Sequence, residues 1–184
     1  MPSALATATA VLEKFGRVLT YPGDGYLFEV EACVNAANEI DVEAGRLMGE
    51  FRNALRGLSI EQAQELYVQT FDLNPICALE VGWQLYGDNY DRGNFLVKMR
   101  QELERHSVPE NVELPDHLCN VLPLLTRVDH AETRSFTEAS VRPALKKMLA
   151  AFAGKGNPFE NVLKALDRLV EASLSSPLQE ANHD

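Results

Sequence analysis

The chain has 184 residues, 46% of them hydrophobic, and carries 27 acidic against 17 basic side chains for a formal charge of -10. That length suits one domain with a real core, and the charge repels phosphate backbones, which argues against nucleic acid as a partner. Cys33, Cys77 and Cys119 are odd in number and widely spaced, so they make neither a disulfide framework nor a zinc motif, and they fit a reducing cytoplasm. The start, with Glu13, Lys14 and Arg17, lacks the pattern of a signal peptide. No run approaches the ~18 uncharged apolar residues of a membrane span, so stable membrane insertion is not expected.

Hydrophobic spacing is helical almost throughout. Val11, Leu12, Phe15, Val18 and Leu19 fall on one helix face, and "YPGDG" (21–25) ends that helix. A second helix is predicted from Tyr26 to Asn38 with Leu27, Val30 and Val34 inward, and a third over about 41–56, stopped by Gly57. Ser59 and Gln62 form a capping-box signature for a fourth, which carries "LYVQTFD" and ends before Pro75. A break at Gly87 precedes a longer helix capped by Asp88, with Phe95, Leu96, Met99 and Leu103 on one face. Gly93 inside that helix suggests close approach by another backbone.

"HSVPENVELP" (106–115) reads as a loop, and Pro115 and Asp116 as the first turn of the helix that follows it. That short helix holds Leu118, Val121, Leu122 and Leu125. Val141, Leu145, Met148, Leu149 and Phe152 define another stripe, broken at "AGKGNP" (153–158). Asn157-Pro158 is the N-cap and first position of the last helix, from Phe159 through Val170. The expectation is an all-α fold, one domain of about eight or nine helices over 1–172, with a flexible tail over 173–184.

The stretch "NVELPDHLCN" (111–120) concentrates reactive side chains. His117 and Cys119 are two apart, so on a helix they point about 200° apart and cannot share a metal. Cys119 has acidic and apolar neighbours, which favours a buried thiol over a nucleophile. Asp72, by contrast, sits near a helix C-terminus, where the dipole disfavours an anion; that points to a distant partner or a function. Tyr67 and Phe71 share a helix face at i and i+4, and Trp83 and Tyr86 can line a groove.

Three ordered blocks carry a resemblance. "LYVQTFDL" (66–73), "LYGDNYDRG" (85–93) and "ELPDHL" (113–118) are similar to the sequence blocks of the NarJ branch of the NarJ/TorD/DmsD chaperones. With the final helices the resemblance spans roughly 8–172. His117 stands where the NarJ pattern often has an aromatic, as it does in the TorD and DmsD branches. The resemblance implies a cytoplasmic chaperone without turnover and without a cofactor of its own. Its partner would be the apo catalytic subunit of a molybdoenzyme, chiefly the N-terminal segment, with nitrate reductase the leading client. Such a chaperone holds its client while molybdopterin guanine dinucleotide and iron–sulfur clusters are inserted, in contact with the insertion machinery.

On this reading a client helix lies in an apolar groove with an acidic rim. The expected client-binding residues are Tyr67, Phe71, Asp72, Trp83, Tyr86, Arg92, Glu113, Pro115, Asp116 and His117, with Glu102, Glu104 and Glu110 adding charge nearby. Asp72, Glu113, Asp116 and His117 are expected to converge, and His117 to make release pH-sensitive. Two other classes compete: a small helical hydrolase using Asp116, His117 and Cys119, and a permanent helical adaptor subunit.

Overall fold

Side-chain chemistry sets where the helices start and stop. The computed structural model describes residues 4–109, 111–152 and 154–175, which leaves Glu110 and residues 176–184 of the expected tail outside the described residues. The chain runs α1 (Ala4–Val18), α2 (Tyr26–Ile40), α3 (Val42–Leu55), α4 (Ile60–Tyr67), α5 (Val81–Tyr86), α6 (Tyr90–Arg105), α7 (Leu118–Leu125), α8 (His130–Phe136), α9 (Arg142–Phe152) and α10 (Phe159–Ser175). A π turn at Val68–Asp72 extends α4, and another at Thr137–Val141 joins α8 to α9. The described residues thus form nine continuous helices in one all-α domain.

The capping box at Ser59 and Gln62 is present in full. Gly57 and Gly87 take positive φ and end α3 and α5. Asn157 accepts a hydrogen bond from the Phe159 N–H and opens α10, as the sequence predicts.

Several expectations fail for local reasons. Asn89, not Asp88, caps α6, because its side chain reaches the Asp91 N–H. A Cβ added at Gly93 would meet nothing within 4 Å among the described residues outside its own helix turn, so that glycine marks no close backbone approach. Leu27 faces solvent, while Tyr26 turns inward and donates its hydroxyl to the Val18 carbonyl. Pro115 and Asp116 do not begin α7. They are the middle of a turn closed by His117 N–H to Leu114 O at 3.0 Å, with proline at the position that fixes φ for such turns.

The core gathers around Phe15, Phe51, Phe152 and Phe159, all fully buried. Tyr67 and Phe71 belong to it. Phe71 lies 4.8 Å and Tyr67 6.0 Å from the Phe159 ring, and the Tyr67 hydroxyl donates to the Leu19 carbonyl. Each such side chain contributes about 1.5–3 kcal/mol through burial. The shared i, i+4 face is therefore real, but it is a core face, and Tyr67 is no surface anchor.

Candidate functional site

Two distant segments meet where the chain leaves its 3₁₀ turn (Pro75–Cys77) and where it enters α7. Glu80 and His117 pair as an isolated antiparallel bridge. The flanking hydrogen bonds, Val81 N–H to Asp116 O and Leu118 N–H to Leu79 O, are 2.9 and 3.0 Å. Glu80 and His117 are thus the closely spaced, non-hydrogen-bonded pair of the bridge, the kind whose side chains stand nearest.

This bridge forms one wall of a cavity of about 270 Å³. Phe71 and Asp72 come to it from the π turn, Trp83 from α5, Arg92 from α6, Glu113 from the loop, and Glu80 and His117 from the bridge. Of the residues that sequence reasoning named, Phe71, Asp72, Trp83, Arg92, Glu113 and His117 are therefore brought together. Tyr67, Tyr86, Pro115 and Asp116 do not line it. Tyr86 packs on Phe95 instead, with ring centroids 5.6 Å apart.

Asp116 was expected on an exposed acidic rim, but it is completely buried. Its Oδ2 accepts the Gly82 N–H at 2.8 Å, so it caps the first turn of α5 from a remote position. Its Oδ1 has no hydrogen-bond partner among the described residues. Burial raises the Asp116 pKa, and the Gly82 N–H and Arg92 hold it down.

His117 was expected to be accessible and to titrate near neutrality; it is only 4% exposed. Its Nδ1 accepts the Cys119 N–H at 3.1 Å, which makes the imidazole the N-cap of α7. Burial pushes its pKa down to about 4, so the ring is neutral at physiological pH. A neutral, buried ring gives no support to the expectation of pH-sensitive release through His117 near neutrality.

Glu80 is the acid that sequence reasoning missed. It sits outside the three blocks, and only the bridge to His117 brings it to the cavity. Glu113 is set by a second device: the Asn111 side chain accepts the Glu113 N–H at 2.9 Å and donates to Asn120 Oδ1 at 2.7 Å. Asn120 in turn donates to the Leu114 carbonyl.

Burial raises the pKa of Asp72, Glu80 and Glu113 alike; Asp116 adds to the effect at Glu80, and Asp72 at Glu113. Against these three acids the lining offers one cation. The Arg92 guanidinium lies 5.0 Å from the Trp83 ring centroid, a cation–π contact, and the indole N–H is held by the Pro75 carbonyl. The Arg92 Nε is buried without a hydrogen-bond partner. Leu73, Ile76, Val112 and Leu114, neighbours of the lining residues in sequence, all expose apolar side chains.

The hydrolase arrangement is not assembled. The Cys119 thiol is buried, and burial pushes its pKa up to about 12. Asp116 bonds to backbone, and His117 spends Nδ1 on a helix cap. No acid–base–nucleophile relay links the three. No group of three or more His, Cys, Asp or Glu among the described residues is placed to hold a metal.

Fold and site together describe an all-helical domain with an acidic, apolar-edged pocket suited to a cationic ligand. The chain is similar to the nitrate reductase molybdenum cofactor assembly chaperone NarJ of Escherichia coli K12, at 25% identity over 165 residues, covering 87% of this chain and 69% of that one. NarJ of Escherichia coli O157:H7 matches to the same extent. No family model matches the chain. The resemblance to NarJ carried by three short blocks thus extends over most of the chain.

Proposed function

We infer that this protein is a molybdoenzyme assembly chaperone. It binds the N-terminal segment of the apo catalytic subunit, with respiratory nitrate reductase or a close relative as client, and holds it in the cytoplasm for molybdenum-cofactor insertion. It turns over no substrate. The observation that carries this reading is the pocket: Asp72, Glu80 and Glu113 line it with a single guanidinium, with exposed Leu73, Ile76, Val112 and Leu114 beside them. Such a surface suits a segment that alternates basic and apolar side chains. Likeness to NarJ supplies the client class.

Ordering a client segment costs about 2–5 kcal/mol of the gross interaction energy, which keeps affinity moderate and release feasible. No helix among the described residues is long and apolar enough to cross a membrane.

Affinity capture from the native host, with mass spectrometry and metal analysis of the captured protein, tests the reading. A chaperone co-purifies with a molybdoenzyme catalytic subunit low in molybdenum. Stable capture of a cofactor-loaded complex would instead make it a permanent subunit, and hydrolytic turnover abolished by His117→Asn would make it an enzyme.

A further inference from the structure

A second hollow, of about 330 Å³, forms where α2 and α4 begin, and it shares no lining residue with the acidic pocket. Leu55, Leu58, Ile60 and Ala63 give it an apolar wall, and Gly23 and Gly25 bring no side chains to it. Its edges are already held. Gln64 donates to the Pro22 carbonyl at 2.8 Å, which ties the turn before α2 to α4, and the capping box at Ser59 and Gln62 sets the start of α4. Beside the hollow stands Phe28, 77% exposed, next to a half-exposed Leu27. The Phe28 N–H bonds to the Gly25 carbonyl at 2.9 Å, so the backbone that carries the ring is anchored to the hollow's own turn. An apolar cluster left in water in this way marks an interaction surface.

The patch carries its own complement. A projecting ring beside an apolar hollow, on one surface, is the arrangement of an isologous contact, in which a two-fold axis sets each ring into the other copy's hollow. The charges agree with that occupant. Asp24 lines the hollow, and Arg56 lies between its lining residues Leu55 and Leu58; both charged side chains are exposed. A partner of one charge sign would leave either Asp24 or Arg56 facing its like, whereas a second copy offers each of them its opposite. Glu29, next to Phe28, is taken up by Arg17 of its own chain at 3.4 Å.

We propose that this patch is the interface of a reversible two-fold dimer of the chain. Phe28 of each copy sits in the hollow of the other, and Asp24 of each faces Arg56 of the other. The formal charge of -10 on each copy opposes association. A patch of this extent therefore supports a transient dimer, with a Kd on the order of 10 µM. The inference goes beyond the chaperone reading and uses none of its residues.

Sedimentation velocity on the full chain, from about 1 to 200 µM, reads the outcome. Wild type is expected to pass from monomer to dimer over that range and to stop there, because a two-fold contact closes on itself. Phe28→Ser alters an exposed position, so its circular dichroism should match wild type while the dimer weakens about tenfold or more. Asp24→Arg and Arg56→Asp should each weaken the dimer, and the double variant should restore it. A wild type that stays monomeric, growth beyond the dimer, or a dimer that Phe28→Ser leaves intact overturns the proposal. Charge reversals that neither weaken the dimer singly nor restore it together overturn it too, and they decide alone if Phe28→Ser does not fold.

Discussion

Asp116 and Glu80 are acids of one corner with different duties. Asp116 spends Oδ2 on the first turn of α5, whereas burial raises the Glu80 pKa and Asp116 raises it further. A carboxyl whose folded pKa is raised supports the fold only below its unfolded pKa and loses that contribution as pH rises through the folded value. At pH 7 an ionised Glu80 is therefore a cost to stability. Glu80→Gln is expected to raise the denaturation midpoint at pH 7, with the gain vanishing below about pH 4, where the carboxyl is protonated folded or unfolded. The same change should weaken binding of a basic client peptide about tenfold, or ~1.4 kcal/mol. Denaturation and calorimetry on one variant check both signs; a fall in stability with unaltered affinity would make Glu80 a structural residue.

His117 carries the opposite sign. Its folded pKa, about 4, lies below the usual ~6.5 of histidine. The stability that the neutral ring supports is present above pH ~6.5 and is lost as pH falls toward 4. Asp72, Glu80 and Glu113 share the cavity, and burial raises the pKa of each, so the informative quantity is a difference. The stability of wild type minus that of His117→Asn should fall by roughly 3 kcal/mol between pH 6.5 and 4. A difference that is flat with pH would mean that the ring is not buried neutral.

At the scale of elements, the α5 start shows what holds the site together. A Cβ on Gly82 would lie 2.7 Å from Asp116 Oδ2 and 2.8 Å from the Phe95 ring. Gly82→Ala must therefore push the carboxylate off the helix end or shift α6, and overpacking of this kind costs about 1–3 kcal/mol. Client affinity should drop along with the denaturation midpoint, because Trp83, Glu80 and Arg92 all sit on the elements that would move.

The helices themselves were legible: the capping box at Ser59, the Asn157 cap and the stops at Gly57 and Gly87 are local signals, and local signals survive in a single sequence. The Glu80–His117 bridge was not. It joins residues 37 apart through backbone hydrogen bonds that no side-chain pattern announces. The same gap hid Glu80 and misplaced Pro115 and Asp116. Proline followed by aspartate suits a helix start and a β-turn equally, and only the Leu114–His117 hydrogen bond separates the two. The Asp72 signal, an acid at the wrong end of a helix, did point to the cavity.

Over the whole molecule, the excess of ten negative charges would steer a basic segment toward the chain, and the pocket brings three acids together on its lining. Phe71 lines the pocket and packs on Phe159, which ties the site to the core. On the proposed reading, an acidic pocket edged with exposed apolar side chains would bind its client by charge and apolar contact together, and the charge part would weaken with salt. The most direct test is a calorimetric titration of the client N-terminal peptide into wild type and into a Glu80→Gln/Glu113→Gln double variant, at about 20 and 500 mM salt. Wild type should bind at low salt and weaken markedly at high salt, while the double variant loses most of the affinity and most of the salt dependence. Equal binding by the two proteins at both salt concentrations would contradict the account.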